Sequence, residues 1–256
     1  MGTRDRAFEI VCEIQPPTTA DLGIVREQLS ALGPHCDAFL VPDSHLGRAT
    51  VSSLAVAHEV RDVEGRAWAC LNARDRNLLG LQRDLLTAEA YGVDELLFVY
   101  GDPPSRGGRS DLTVRGMLEE VRGDGRWGHL RVGVAADVRR ELPAWKRDAD
   151  VVFTQLTFEQ GLVERWRERV GFEGRVHAGV IVLTGEAMAR RLADLIPGLE
   201  VPRAVLDRLA RDPRAGVEVA VAQVAAMREA GVVDGVHLVP GGRFLETARA
   251  LERVGL

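Results

Sequence analysis

With three cysteines in 256 residues and no Cys-x-x-Cys pair, the sequence offers neither a disulfide framework nor a thiolate metal knuckle. Cys12, Cys36 and Cys70 each sit in an apolar, strand-like run and read as small buried hydrophobes. No apolar run approaches the roughly twenty residues that a membrane-spanning helix requires. The start, Met1-Gly2-Thr3-Arg4-Asp5-Arg6, has no long apolar stretch behind it, so no signal peptide is expected and the location predicted is cytoplasmic. Basic residues are outnumbered, 33 Lys and Arg against 38 Asp and Glu, for a formal net charge of -5. The arginines alternate with acids, as in Glu164-Arg165-Trp166-Arg167-Glu168-Arg169, the pattern of a solvated helix face, and no nucleic-acid partner is expected. Dinucleotide-binding Gly-x-Gly-x-x-Gly is missing after the first strand-like run, as is a Gly-x-Ser-x-Gly elbow anywhere. The six histidines are scattered without an i,i+4 pair or His-x-His, so no metal site is expected. His177 and His237, within strand-like runs, read as structural; His45, in a loop, is the one with a candidate role.

What is present is a regular alternation. Short apolar, β-branched runs occur at 7–13, 36–42, 67–72, 95–100, 130–136, 150–156, 175–182 and 235–240, separated by stretches of helical spacing such as Leu78 to Ala90, closed by Gly92. The runs are too continuously apolar for strands with one wet face, and read as parallel strands buried on both. Eight strand–helix units at this length predict one α/β domain spanning 1–256, a closed (β/α)8 TIM barrel. Three helical stretches, near 185–197, 201–211 and 216–230, lie between the seventh and eighth runs and predict extra helices there. Pro143, Pro197, Pro202 and Pro213 fit helix starts and stops. There is no internal repeat, low-complexity segment or linker composition.

In such a barrel the chemistry gathers at the C-terminal ends of the strands. The residues there are Glu13, Asp43, Asn72, Asp102, Asp137, Gln155, Thr184 and the pair Gly241-Gly242. Asp43, Asp137 and Thr184 are equally consistent with caps and turns. Gly241-Gly242 would suit a phosphate cradle at a helix start. Glu13 and Asp102 are each followed by a proline pair that delays any helix, and Gln155 interrupts an apolar run. These three are the candidate functional groups: two carboxylates in one mouth point to proton transfer or to recognition of a polar heterocycle.

Four motifs, Glu13-Ile14-Gln15-Pro16-Pro17, Asn72-Ala73-Arg74-Asp75-Arg76-Asn77, Gly101-Asp102-Pro103-Pro104 and Phe153-Thr154-Gln155, stand in the order and spacing of the methylenetetrahydrofolate reductases. Leu81 to Leu86 resembles the helix after the third strand of that family's bacterial branch. Gly179-Val180-Ile181, Met188-Ala189-Arg190 and Val201-Pro202 resemble its late segment. The resemblance runs from about residue 7 to the C-terminus and implies a (β/α)8 barrel, often a homo-oligomer. The implied reaction is reduction of methylenetetrahydrofolate to methyltetrahydrofolate with hydride from NAD(P)H, directly or through a bound FAD. By motif position Glu13 is the expected general acid, and Asp102 the carboxylate facing both pterin and cofactor. Gln155 and Met188 are expected substrate contacts, and Asn72, Tyr100, Gly101, Ala136 and Lys146 stand with Asp102 on the cofactor side. Tyr100 and Cys70 replace an arginine and a histidine of the flavin-binding members, and the segment 138–148 is short, so any FAD is expected to be held weakly. The alternative is a non-redox folate-binding barrel serving one-carbon transfer or acting as an accessory subunit.

Overall fold

The structure, a computed structural model, describes residues 7–102, 110–123 and 125–256; Pro103 and Pro104 of the second carboxylate motif lie outside them. Eight parallel strands close into a barrel in sequence order. They are β1 (Glu9–Glu13), β2 (Ala38–Val41), β3 (Ala67–Asn72), β4 (Glu95–Val99), β5 (Arg131–Ala136), β6 (Val151–Leu156), β7 (Arg175–Ile181) and β8 (Gly235–Val239). The seam pairs Val11 with His237 and Cys12 with Leu238. The helices are α1 (Gly23–Leu32), α2 (Ser53–Asp62), α3 (Leu78–Ala90), α4 (Val114–Gly123), α5 (Gln160–Val170), α6 (Glu186–Leu195), α7 (Arg203–Arg211), α8 (Ala215–Ala230) and α9 (Phe244–Arg253). The α6–α8 insertion between β7 and β8 is the predicted one, and Pro202 stands at the N-cap of α7. None of the described helices is long and apolar enough to cross a membrane.

Alternation along each strand divides the apolar residues into two sets. Ile10, Cys12, Phe39, Val41, Leu96, Phe98, Val132 and Val134 pack outward with the helices. Val11, Ala38, Leu40, Trp68, Cys70, Leu97, Val151 and Phe153 form a separate core inside the barrel. The continuous apolar runs of the sequence are thus two interleaved faces, each buried against a different partner.

Two features depart from the sequence reading. Between β5 and β6 no α-helix forms; only a 3-10 turn, Ala144–Asp148, bridges them, because the connection is short and Pro143 opens the turn. Cys12 and Cys36, read as isolated, form a disulfide with Cα atoms 6.1 Å apart. The α1 crossover brings them together, and no sequence spacing announces that.

The floor of the barrel is ionic. Glu9 meets Arg66 at 3.2 Å, Arg175 at 3.4 Å and His177 Nε2 at 3.2 Å. Arg66 and Arg131 share Glu95, at 2.6 and 2.5 Å, and Arg131 lies 5.3 Å from the centre of the Trp68 ring. Burial alone raises the Glu9 carboxyl, but His177, Arg175 and Arg66 outweigh it and hold its pKa near about 2. Burial lowers the His177 imidazole despite Glu9. A depressed carboxyl stabilises the fold above its unfolded value, near 4.5, and loses that contribution as pH falls toward about 2. Glu9→Gln is therefore expected to lower stability by about 3 kcal/mol at neutral pH, since it leaves clustered arginines short of a partner. The deficit should shrink as pH drops through that window, as urea melts of both proteins across the acid range would measure.

Candidate active site

Glu13 ends β1 with the inward parity of Glu9 and Val11, so its carboxyl rises into the mouth. Its Oε2 lies 3.2 Å from Nε2 of His237 on β8, with 18% and 15% of the two side chains exposed. Phe153 presents itself edge-on to His237, ring centres 6.0 Å apart, and to His177 at 5.1 Å, separating the mouth from the ionic floor. The Cys70 thiol lies beneath; burial first, then the charges of Glu13 and Asp43, push its pKa well up, which keeps it an inert thiol.

Asp43 ties the ends of β2 and β3 together. Its carboxylate accepts from the Asn72 backbone N–H at 3.0 Å and the Asn72 side-chain amide at 2.7 Å, and it pairs with Arg76, which reaches on to Asp84 at 2.8 Å. Asn72 is fully buried, and its Oδ1 accepts from the Asp75 N–H at 2.9 Å. Arg74, also buried, forks onto Asp75. At the end of β4, Gly101 adopts φ +95°, and a Cβ there would come within 2.9 Å of Asn72 Cβ. Only glycine lets this loop lie so close on β3. Asp102, about half exposed, follows. It accepts the Leu46 N–H at 2.7 Å and lies 3.6 Å from His45 Nδ1. Left-handed backbone at Ser44 and Leu46, φ 52° and 57°, shapes the β2 loop that makes this contact. His45, singled out in the sequence, is thus drawn to Asp102.

Gln155 is exposed at the end of β6. The β6–β7 register runs from Phe153 opposite His177 to Leu156 opposite Gly179, so β6 carries one extra residue, a bulge of the kind that re-aims side chains beside functional sites. A Cβ at Gly179 would come within 2.7 Å of the Thr154 carbonyl, so the bulge needs a glycine opposite it. That glycine inside an apolar strand is a signal readable in the sequence.

The wall beyond Gln155 is apolar. Leu156, Ile181 and Val239 from the strand ends cluster with Phe158, Met188 and Leu192, and the Met188 sulfur accepts from Thr184 Oγ1 at 3.2 Å. Carboxylates and amides thus crowd the β1–β4 side of the mouth, and apolar side chains the β6–β8 side. Gly241 and Gly242, both at positive φ, make the turn into α9.

Of the remaining residues expected on the cofactor side, Tyr100 is 61% exposed and Ala136 is buried in the outer core. Lys146 donates to the Ala135 carbonyl and lies 5.3 Å from the centre of the Trp145 ring, and burial lowers its pKa. The floor and groove cavities, about 360 and 800 Å³, are lined by residues such as Arg122, Arg131, Leu29 and Phe39 and lie away from these strand ends.

The methylenetetrahydrofolate reductase family model matches residues 136–250. The similarity read from the motifs is therefore shown for the part of the barrel holding Gln155, Met188 and His237. No curated protein sequence matches the chain. Among solved structures, an uncharacterized protein from Clostridium thermocellum that binds two copies of 5-methyl-5,6,7,8-tetrahydrofolic acid is similar at TM-score 0.68 and 12% identity, with 96% of this chain and 94% of that one covered. A chain of the tryptophan synthase α2β2 complex from Pyrococcus furiosus follows at TM-score 0.60 and 12% identity, covering 98% and 99%. An EDTA monooxygenase from Chelativorans sp. BNC1 is similar at TM-score 0.55 and 9% identity, covering 98% and 95%. At these identities the structural likeness speaks for the fold.

Proposed function

We propose that the protein binds a reduced folate in the barrel mouth and reduces methylenetetrahydrofolate to methyltetrahydrofolate. The observation that carries this reading is the Glu13 carboxyl, half-enclosed at the mouth against an imidazole 3.2 Å away. A binding protein has no need of an acid at that point. Opening the methylene bridge requires protonation of the departing nitrogen, and an enclosed carboxylic acid is suited to it. Asp102, which retains an exposed carboxylate after accepting the Leu46 N–H, balances the positive charge that develops on the opened iminium. Gln155 offers a donor and an acceptor to the amide-like edge of the pterin, and the wall of Leu156, Val239 and Met188 suits the less polar remainder of the ligand.

Reduced nicotinamide supplies the hydride, directly or through a flavin. The described residues fit a tightly held flavin poorly: Asn72 is committed to Asp43 and Lys146 to the Ala135 carbonyl. The folate-bound Clostridium thermocellum neighbour keeps a second reading in view, a non-redox folate carrier. Consumption of NADH or NADPH that depends on added methylenetetrahydrofolate, with methyltetrahydrofolate as product, supports the reductase. Folate binding without that consumption supports the carrier.

Gln155→Leu is expected to weaken folate affinity by about 5- to 150-fold, the equivalent of leaving a polar partner unmatched at roughly 1–3 kcal/mol. Its melting temperature should stay near that of the wild type, because the side chain is exposed. Calorimetric titration of 5-methyltetrahydrofolate together with thermal melts separates this from a structural role, for which stability would fall and affinity would not.

A further inference from the structure

Strand β1 carries two glutamates of the same parity, and each meets a histidine at 3.2 Å: Glu9 with His177 on β7, and Glu13 with His237 on β8. Phe153 stands edge-on to both rings and keeps the pairs apart. The pairs differ in access. His177 is fully buried among the arginines of the floor, whereas His237 and Glu13 are partly open to the mouth.

We propose that His237 is the positioning and proton-relay partner of Glu13, an inference that rests on the reductase reading. The Glu13 hydroxyl proton passes to the departing nitrogen as the carbon–nitrogen bond breaks, and the bonding electron pair stays on that nitrogen. As Nε2 of His237 gives its proton to the carboxylate, Nδ1 of the same ring takes one from water at the mouth, so the imidazole stays neutral throughout. The hydride from reduced nicotinamide closes the balance at the methylene carbon, so each turnover consumes one solvent proton. The sealed Glu9–His177 pair has no such route and serves the fold.

The test uses His237→Gln, which keeps a donor but cannot relay, and His237→Phe, which keeps the ring's bulk. Affinity for 5-methyltetrahydrofolate should stay within about threefold of wild type, while kcat falls by about 10- to 100-fold, less than the 100- to 10,000-fold that a complete general acid supplies. The double variant Glu13→Gln/His237→Gln should be about as slow as Glu13→Gln alone, because both changes cut one path. His177→Gln should lower the melting temperature and leave kcat unchanged. His237 variants with kcat within about twofold of wild type, or a double variant whose loss is the product of the two single losses, would overturn the relay alone. A wild type that consumes no nicotinamide with methylenetetrahydrofolate overturns the reductase reading and the relay with it.

Discussion

Glu13→Gln is expected to fold and bind reduced folate as the wild type does, yet to turn over about 100- to 10,000-fold more slowly. The amide is nearly isosteric with the acid, so it should occupy the same place 3.2 Å from the His237 ring nitrogen. What it lacks is an acidic proton, which the proposed reduction needs only when the bridge opens. The loss should therefore appear in kcat, with little change in the affinity for 5-methyltetrahydrofolate. The rate range corresponds to roughly 3–5 kcal/mol of transition-state stabilisation, larger than the effect foreseen for any binding residue here. Stopped-flow measurement of methyltetrahydrofolate formation, paired with calorimetric titration, checks both halves. Turnover within a few-fold of wild type would remove Glu13 from the chemistry.

The second large effect concerns FAD. Flavin added to the purified protein is expected to bind weakly, to be lost on dialysis and to raise activity when restored. Each charge-assisted hydrogen bond to a phosphate or ribose contributes roughly 1.5–3 kcal/mol, so losing two or three lowers affinity by several powers of ten. The structure supplies local reasons. The β5–β6 connection is a single 3-10 turn, and its Lys146 is turned back onto the strand-end carbonyl of Ala135. Cys70 is inside the barrel core beneath the mouth, and Tyr100 offers no cation. Visible absorbance and activity before and after dialysis, with and without added FAD, are the measurements. Stoichiometric flavin that survives dialysis would show that other residues of the mouth replace these contacts.

Strand positions, the closed barrel and the α6–α8 insertion were legible in the amino-acid order, because buried parallel strands write themselves as unbroken apolar runs and proline and glycine mark helix ends. The candidate carboxylates were legible for the same reason: Glu13 and Asp102 stand where an apolar run stops and prolines forbid an immediate helix. Gln155 could be located too, as the polar break in a run, but its bulge left only the indirect mark of Gly179 in another strand, and only the β6–β7 pairing joins the two. The missing helix after β5 was foreshadowed only by a short segment. Closure decided the rest. His237 read as a structural strand histidine until the β1–β8 seam set it beside Glu13. The same seam and its neighbours gathered Glu9, Arg66, Glu95, Arg131 and Arg175, scattered along the chain, into one ionic floor. A strand's own sequence fixes which residues share a face. Which faces meet is settled by the pairing of distant strands and the side chains they crowd together, and that is a property of the folded chain alone.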